Sequence, residues 1–213
     1  MPSREFESRR RNLATRLQSR YDLSAEVTEA IATVPREEFV PEGSRSVAHA
    51  DRPLPIGDGQ TISAPHMVAM MADELRLEPG EDVLEIGTGC GYHAAVTAEL
   101  VGPEHVYSVE YSPLLAESAR ERLAELGYGD ISIRHGNGYH GWPDHAPYDG
   151  AYLTCATGEF PEAVIDQIRV GGRLLGPIGR GAQRLVSAEK RPDGSLDRED
   201  RGGVRFVEMR GGP

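Results

Sequence analysis

Cysteine is rare in this 213-residue chain, and its scarcity excludes two classes of protein. The two cysteines, Cys90 and Cys155, cannot form the disulfide framework of a small secreted domain, and their spacing does not match a zinc site. The seven histidines are scattered, and no His-x-x-x-His pair lies beside a carboxylate, so we expect no metal. We interpret both cysteines as small packing residues rather than as a redox pair.

Long hydrophobic runs are also missing. No apolar stretch approaches the roughly 18 residues that a membrane-spanning helix needs. The polar N-terminal sequence lacks the apolar core of a signal peptide. We therefore expect a cytoplasmic protein with no membrane partner. With 38% hydrophobic residues, the chain can bury the core of one domain.

Positive charge is in short supply. The chain has 34 acidic residues against 23 basic ones, a net charge of −11, and Lys190 is its single lysine. An acidic surface repels the phosphate backbone of nucleic acids, so we expect no nucleic-acid partner. The same composition suits a protein that must stay hydrated in concentrated salt. Salt adaptation is therefore one hypothesis, and a GC-rich genome that favours arginine over lysine is the alternative.

The second half of the chain, by contrast, alternates between strand-like and helical patterns. Five short apolar runs predict strands: Asp82–Ile86, His105–Val109, Ile131–Arg134, Tyr148–Thr154 and Gly172–Gly176. Helical runs lie between them: Tyr92–Leu100, Pro113–Leu126 and Pro161–Ile168. Strands that alternate with helices predict a parallel sheet with helices on both faces. The fold class is therefore α/β, with a doubly wound, mostly parallel, Rossmann-like sheet.

The two ends of the chain follow other patterns. Helical runs at Arg11–Arg20, Ser24–Ala32 and Pro65–Leu75 predict a helical N-terminal cover. Near the C-terminus, the apolar runs Gln183–Glu189 and Val204–Glu208 flank a Pro-Asp-Gly turn, which predicts an antiparallel hairpin. We predict one domain, comprising a cover (residues 1–76), an α/β core (77–180) and a β tail (181–213).

A glycine cluster, Glu85-Ile-Gly-Thr-Gly-Cys-Gly91, joins the first of these strands to the helix after it. The dinucleotide fingerprint G-x-G-x-x-G would need glycine where this chain has Tyr92, so that pattern fails. The acidic-x-G-x-G-x-G spacing resembles the first motif of the class I S-adenosylmethionine methyltransferases. That resemblance implies that five residues bind the cofactor: Glu85, Gly87, Thr88, Gly89 and Gly91.

A second acidic residue supports a nucleoside-containing cofactor. Glu110 ends the next predicted strand, 25 positions after Glu85. A carboxylate in that place can accept two hydrogen bonds from a ribose diol. We predict that Glu110 and its neighbour Tyr111 contact the cofactor. The alternative is a glycine turn beside a surface glutamate.

Five segments, taken in order, closely resemble the protein-L-isoaspartate O-methyltransferase family. They are Pro35-Arg-Glu-Glu-Phe-Val-Pro41, the run from Pro53 to Met67, the glycine cluster, Gly138-Tyr-His-Gly-Trp142, and Gly171-Gly-Arg-Leu-Leu-Gly-Pro-Ile-Gly179. The stretch Gly59-Gln-Thr-Ile-Ser-Ala-Pro-His-Met67 is typical of this family. The resemblance implies methylation, by S-adenosyl-L-methionine, of the free α-carboxylate of L-isoaspartyl residues in damaged proteins and peptides. The ester then collapses to a succinimide, which reopens partly to normal aspartate.

The resemblance also implies roles for single residues. Ser63 matches the family's active-site serine, and we predict that it holds the substrate carboxylate beside the helix that Pro65 opens. A carboxylate is already ionised at pH 7, so the reaction needs no general base. The alternative is that Ser63 only caps that helix. The other implied cofactor residues are Thr61, Ile62, His66, Asn137, Gly138 and Thr154, although His66 is equally compatible with a place in the core.

The chain departs from the family pattern at two places. Asn137 stands where the family usually carries aspartate, which predicts weaker cofactor binding that Asn137→Asp would strengthen. The segment Leu153-Thr-Cys-Ala-Thr157 differs from the family's Val-Thr-Ala-Ala-Ala. These departures leave two alternatives open: a methyltransferase for another carboxylate or a small molecule, and a non-catalytic cofactor-binding module. We expect a monomer.

Overall fold

Six α-helices and nine strands form the secondary structure of residues 4–212, which are the residues that the computed structural model describes. The helices are α1 (Arg4–Tyr21), α2 (Ala25–Thr33), α3 (Pro65–Leu75), α4 (Tyr92–Val101), α5 (Pro113–Glu125) and α6 (Glu162–Asp166). The strands are β1 (Leu54–Gly57), β2 (Gln60–Ile62), β3 (Val83–Ile86), β4 (Val106–Glu110), β5 (Ser132–His135), β6 (Tyr148–Leu153), β7 (Ile168–Ile178), β8 (Gln183–Lys190) and β9 (Leu196–Val204).

Seven of these strands form one sheet in the order β5-β4-β3-β6-β7-β8-β9. The five strands from β5 to β7 pair in parallel, and β8 and β9 extend the sheet in antiparallel fashion. The chain starts this sheet at β3, builds outward through β4 and β5, and then returns to the other side of β3 with β6. The predicted fold class, α/β with a mostly parallel doubly wound sheet and an antiparallel C-terminal part, is confirmed.

Side-chain alternation along the strands separates two apolar cores. Val83 of β3 packs into the core on one face of the sheet, together with α1, α2, α3 and α4. Its neighbour Leu84 packs into the core on the other face, with Val164 of α6. This period of two is what a strand buried on both faces requires. Helix α4 lies deep inside the first core, because eight of its ten residues are buried.

Helix α1 and strand β9 differ from their predicted positions. Helix α1 begins at Arg4, well before the predicted start at Arg11. The last strand is Leu196–Val204, so the prediction of a strand at Val204–Glu208 was wrong. The Pro-Asp-Gly sequence forms a tight turn, since Lys190 before it pairs directly with Leu196 after it. Strand β9 escaped prediction because it is a polar, exposed edge strand with no apolar alternation.

The proline-rich stretch between α2 and α3 folds into two 3-10 helices, Arg36–Phe39 and Glu42–Val47, and then into the small β1–β2 hairpin. The hairpin carries the first part of the family-like segment over the carboxyl end of β3, since Ile56 lies beside Gly89. Within residues 4–212, no helix combines the length and the apolar composition that crossing a bilayer requires. The division of the chain at residues 76 and 180 stays a prediction.

Candidate active site

A cavity of about 780 Å³, counting its open mouth, lies at the carboxyl ends of β3, β4 and β6. Ligands of open α/β sheets bind where the strand order reverses, and β3 is that point in this sheet. The predicted residues that line it are Thr61, Ile62, Ser63, Gly87, Thr88, Gly89, Glu110, Tyr111, Gly138 and Thr154. Four predicted residues do not line it: Glu85, Gly91, His66 and Asn137.

Glycines let the backbone form the floor of this cavity. Gly87 has a φ of +99°, and a β-carbon there would collide with the side chain of Thr154. Gly138 approaches β3 so closely that a β-carbon would collide with Ile86. Both glycines line the cavity, and close packing against neighbouring side chains requires glycine at each position.

Glu110 ends β4, and its carboxylate is fixed by the backbone around it. One carboxylate oxygen accepts a hydrogen bond from the N–H of Gly89 at 2.8 Å, and the other accepts one from the N–H of Ser112 at 2.9 Å. A carboxylate oxygen has a second lone pair, so each oxygen can still accept a hydroxyl donor. Tyr111 beside it is 45% exposed at the mouth of the cavity. This arrangement suits a ribose diol.

Ser63 also lines the cavity, and it lies between β2 and α3. The N-cap residue of α3 is Ala64, and no side chain caps this helix. The alternative that Ser63 only caps the helix is therefore wrong. The predicted anion site of free helix N–H groups is also wrong, because the N–H of His66 already donates to the carboxylate of Asp51 at 3.0 Å. A cation from outside this loop, Arg36 of the 3-10 helix Arg36–Phe39, donates to the carbonyl oxygen of Ser63 at 2.8 Å.

His66 and Asn137 are engaged elsewhere. The Nδ1 atom of His66 lies 2.7 Å from Asp51, and its ring stacks on Tyr21 at 5.6 Å between centroids. The amide nitrogen of Asn137 donates to the carbonyl of Gly212 at 2.8 Å, and its amide oxygen accepts from the N–H of Tyr139 at 3.1 Å. Neither residue lines the cavity. The amide oxygen of Asn137 keeps a second lone pair, so its contact with the cofactor stays a prediction, as does that of His66.

Glu85 lies beneath the cavity rather than in it. Its side chain is fully buried between the hydroxyls of Ser108 and Tyr152, the latter at 3.0 Å. Burial raises the pKa of Glu85 to about 8, although the two hydroxyls act in the opposite direction. Ser108 is in turn hydrogen-bonded to Thr88 at 2.6 Å, so Glu85 reaches the cavity only through two side chains.

His93, at the start of α4, contributes an uncharged ring to the cavity wall. It packs against Tyr152 with 4.3 Å between ring centroids. Burial lowers the pKa of His93 to about 3, so the ring is neutral at physiological pH. Gly91 lies outside the lining because it packs against Leu123 of α5.

The part of the wall that follows β9 contains none of the predicted site residues. Val207 accepts a hydrogen bond from the N–H of Ala156 at 2.7 Å, and Met209 donates back to Ala156 at 2.8 Å. Arg210 then holds Asp58 at the tip of the β1–β2 hairpin, at 2.8 Å. The hairpin and the C-terminal segment therefore meet across the cavity.

The charges in the lining are few and mostly negative. Glu110 and Glu208 are acidic, and the one basic side chain, Arg210, is paired with Asp58. A pyrophosphate would find no free basic side chain in this lining, whereas a cofactor with a positive sulfonium meets favourable charge. Cys90 and Cys155 also line the cavity, and both are free thiols. Among residues 4–212, no three His, Cys, Asp or Glu side chains cluster as a metal site.

Comparisons with known proteins agree with this geometry. Residues 8–212 match the model of the protein-L-isoaspartate(D-aspartate) O-methyltransferase family. The chain is 49% identical over 208 residues to protein-L-isoaspartate O-methyltransferase 2 of Archaeoglobus fulgidus, covering 97% of this chain and 95% of that one. It is also 49% identical over 209 residues to the enzyme of that name in Methanothermobacter thermautotrophicus, with 97% and 96% covered.

Two solved structures have the same fold. A protein-L-isoaspartate O-methyltransferase superposes with a TM-score of 0.87 and 32% identity, covering 95% of this chain and 66% of that longer one. A putative protein-L-isoaspartate O-methyltransferase from Plasmodium falciparum, in complex with S-adenosyl-L-homocysteine, gives a TM-score of 0.81 at 23% identity, covering 94% and 98%. The family model and the sequence relatives span nearly the whole chain, and so this protein belongs to the protein-L-isoaspartate (D-aspartate) O-methyltransferase family.

Proposed function

We propose that this protein methylates the free α-carboxylate of L-isoaspartyl residues in damaged proteins, with S-adenosyl-L-methionine as the methyl donor. The observation that carries the proposal is the place of Ser63. The family-like segment brings Ser63 into the lining of the same cavity as the glycine turn at Gly87 and as Glu110. The residues predicted to bind the donor and the serine predicted to hold the substrate carboxylate therefore share one cavity.

The residues that would hold the cofactor are the backbone of Gly87–Gly89, the carboxylate of Glu110, and the neighbouring Tyr111, Gly138 and Thr154. When bound, S-adenosyl-L-methionine supplies a methyl group on a sulfonium that is already activated for displacement. The protein therefore needs to bind, orient and shield, rather than to activate a weak nucleophile. Glu110 can also balance positive charge in the cavity.

Ser63 can donate its hydroxyl hydrogen to one oxygen of the substrate carboxylate and so fix the direction of the other. The carboxylate is ionised at pH 7, and no proton has to be removed from it. Holding two reactants in line lowers the barrier by several kcal/mol in favourable cases. The β1–β2 hairpin and the segment Val207–Arg210 line the cavity and can shield a bound donor from water. We assign to the chain these three tasks: orientation, shielding and charge balance.

A paired-peptide assay tests the proposal. Purified protein receives S-adenosyl-L-methionine with a labelled methyl group and one of two peptides that differ only in an isoaspartyl or a normal aspartyl linkage. We expect label in the isoaspartyl peptide alone, as a base-labile ester. Equal labelling of both peptides would point to another carboxylate acceptor. Binding of S-adenosyl-L-homocysteine without any transfer would indicate a non-catalytic module. That the enzyme acts as a cytoplasmic monomer stays a prediction.

A further inference from the structure

Arg36 is a buried cation directly behind the loop that carries Ser63. It lies in the first 3-10 helix after α2 and is only 1% exposed. Its Nη2 donates to the carbonyl oxygen of Ser63 at 2.8 Å, and its Nε donates to the carbonyl oxygen of Ala48 at 2.9 Å. The planar guanidinium lies over the ring of Tyr92, 4.7 Å from its centroid. One side chain thus joins the Ser63 loop, the segment before β1 and the first residue of α4.

This cation has no carboxylate in direct contact within residues 4–212. The neighbouring Glu37 is fully buried and bonded instead to Arg10 and His49. Asp51, which attracts Arg36 weakly, is bonded to His66. A buried charge costs free energy unless it is paired, so burial lowers the pKa of Arg36. Its positive field therefore reaches the Ser63 end of a lining that otherwise has a net negative charge.

The substrate carboxylate and the sulfonium of the cofactor carry opposite charges, so they favour opposite charges in the lining of this cavity. The acidic side chains Glu110 and Glu208 favour a cationic donor and repel the carboxylate that has to approach it. The N–H of His66 at the start of α3 is already taken by Asp51 and cannot compensate. Arg36 is the group that can supply positive charge behind Ser63, without entering the cavity itself.

We propose that Arg36 is a positioning residue for methyl transfer: by holding the backbone of Ser63 it fixes the serine hydroxyl, and its charge makes that end of the cavity favourable for the isoaspartyl carboxylate. The role rests on the function proposed above. Arg36 acts through Ser63 and Tyr92 and does not contact the reacting atoms. Its influence falls on the acceptor peptide, because it bonds to Ser63 and makes no bond to Glu110, whose carboxylate is held by Gly89 and Ser112.

A double-mutant cycle tests this role. Four proteins are compared: wild type, Arg36→Lys, Ser63→Ala and the double variant. We expect Arg36→Lys to lower kcat/KM for an isoaspartyl peptide by about tenfold, because an ammonium cannot replace the planar fork that holds two carbonyls. Affinity for S-adenosyl-L-homocysteine should stay within about threefold. The double variant should be no slower than Ser63→Ala, since Arg36 acts through that hydroxyl.

A matched arginine controls for general loss of structure. Arg10 is also buried, at 6% exposure, and it bonds to Glu37 and to the carbonyl of Ala32 rather than to Ser63. Arg10→Lys should lower thermal stability as much as Arg36→Lys and leave kcat/KM within about twofold. Arg36→Met also removes the positive charge, so its kcat/KM for the isoaspartyl peptide should be lower than that of Arg36→Lys.

Three results would overturn the proposal: an unchanged kcat/KM in both Arg36 variants, fully additive losses in the cycle, or equal losses in Arg10→Lys and Arg36→Lys. If Arg36→Met fails to fold, the Arg36→Lys cycle still decides. Wild-type protein that does not methylate the isoaspartyl peptide contradicts the proposed function itself. That outcome is distinct from any of these three.

Discussion

Ser63 is the residue on which the proposed chemistry depends. Ser63 lines the cavity and no side chain caps α3, so its hydroxyl is not committed to the start of that helix. We expect Ser63→Ala to lower kcat for an isoaspartyl peptide by about ten- to a hundredfold, which is typical of losing one positioning contact. Titration with S-adenosyl-L-homocysteine should give an unchanged Kd. Ser187→Ala, at a half-buried serine on β8 outside the cavity, is the matched control.

Normal turnover by Ser63→Ala would remove this residue from the mechanism. An equal loss of activity in Ser187→Ala would show that the effect comes from general destabilisation.

Glu85 makes a second residue-level prediction, about stability rather than catalysis. Its pKa is about 8 in the folded protein and near its ordinary value of 4.5 when unfolded. Between these values the folded state keeps a proton that the unfolded chain releases, so unfolding becomes easier as pH rises. We expect the free energy of unfolding to fall by about 1 kcal/mol per pH unit across this window because of Glu85. Urea titrations between pH 5 and pH 9 measure it.

The neutral variant Glu85→Gln provides the comparison. It keeps a similar shape and can still bond to Ser108 and Tyr152, but it has no proton to lose. The difference in unfolding free energy between wild type and Glu85→Gln should therefore shift steadily in favour of the variant from pH 5 to pH 8. Parallel pH profiles for the two proteins would contradict a raised pKa at Glu85.

Single residues also show how far a sequence motif predicts which side chains line the cavity. The glycine spacing located the turn, and Gly87, Thr88 and Gly89 do line the cavity. Glu85 belongs to the same motif, yet its side chain is fully buried beneath the cavity, between Ser108 and Tyr152. Asn137 was expected to meet the cofactor, but its amide holds Gly212. Sequence spacing gives the order of residues along the backbone, and it does not reveal which atoms the rest of the chain has already occupied.

The β1–β2 hairpin and the C-terminal segment act together as one element over the cavity. Arg210 bonds to both the carboxylate and the backbone carbonyl of Asp58 at the hairpin tip. We expect Asp58→Asn to speed the release of S-adenosyl-L-homocysteine by about two- to fivefold, the range for an exposed ion pair. Asparagine is the right replacement because Asp58 has a left-handed backbone with φ of 50°. Stopped-flow displacement measures the release rate.

The exposed pair of Arg184 with Asp200 on β8 and β9 serves as the control, since it lies away from the cavity. Asp200→Asn should leave the release rate unchanged. The wild-type rate should also rise with salt, which screens surface ion pairs. A release rate that neither Asp58→Asn nor salt alters would mean that the hairpin and the C-terminal segment do not restrict exchange.

Helices and strands with a strong apolar pattern could be predicted from the sequence, whereas polar, exposed elements could not. The buried run Val83–Ile86 and the helix Pro65–Leu75 stand close to where the sequence placed them. Strand β9 is mostly exposed, and its pairing comes from the backbone and the preceding turn rather than from side chains. The C-terminal wall of the cavity was missed for a related reason, because Val207 and Met209 bond through their backbones to Ala156.

Taken as one molecule, the protein carries far more negative than positive charge. At a net charge of −11, mutual repulsion opposes the compact state, and dissolved salt screens this repulsion. We expect the thermal unfolding midpoint to rise steadily as potassium chloride increases from dilute buffer to about 1 M, where the screening length is about 3 Å. Activity should rise in parallel. The rise should be smaller near the isoelectric point, where repulsion is weak.

A flat midpoint, together with full activity in dilute buffer, would contradict salt adaptation. The scarcity of lysine would then reflect genome composition alone. The net charge of the whole chain could be read directly from its composition. The course of residues 205–212 across the cavity could not be predicted, because it depends on long-range pairing that no local pattern encodes.

A crystal structure with S-adenosyl-L-homocysteine and an isoaspartyl peptide bound together decides whether the cavity works as proposed. We expect the thioether sulfur to lie over the turn at Gly87–Gly89, and one oxygen of the isoaspartyl α-carboxylate to accept a hydrogen bond from the Ser63 hydroxyl. A donor bound elsewhere, or a carboxylate held away from Ser63 by other residues, would contradict the account.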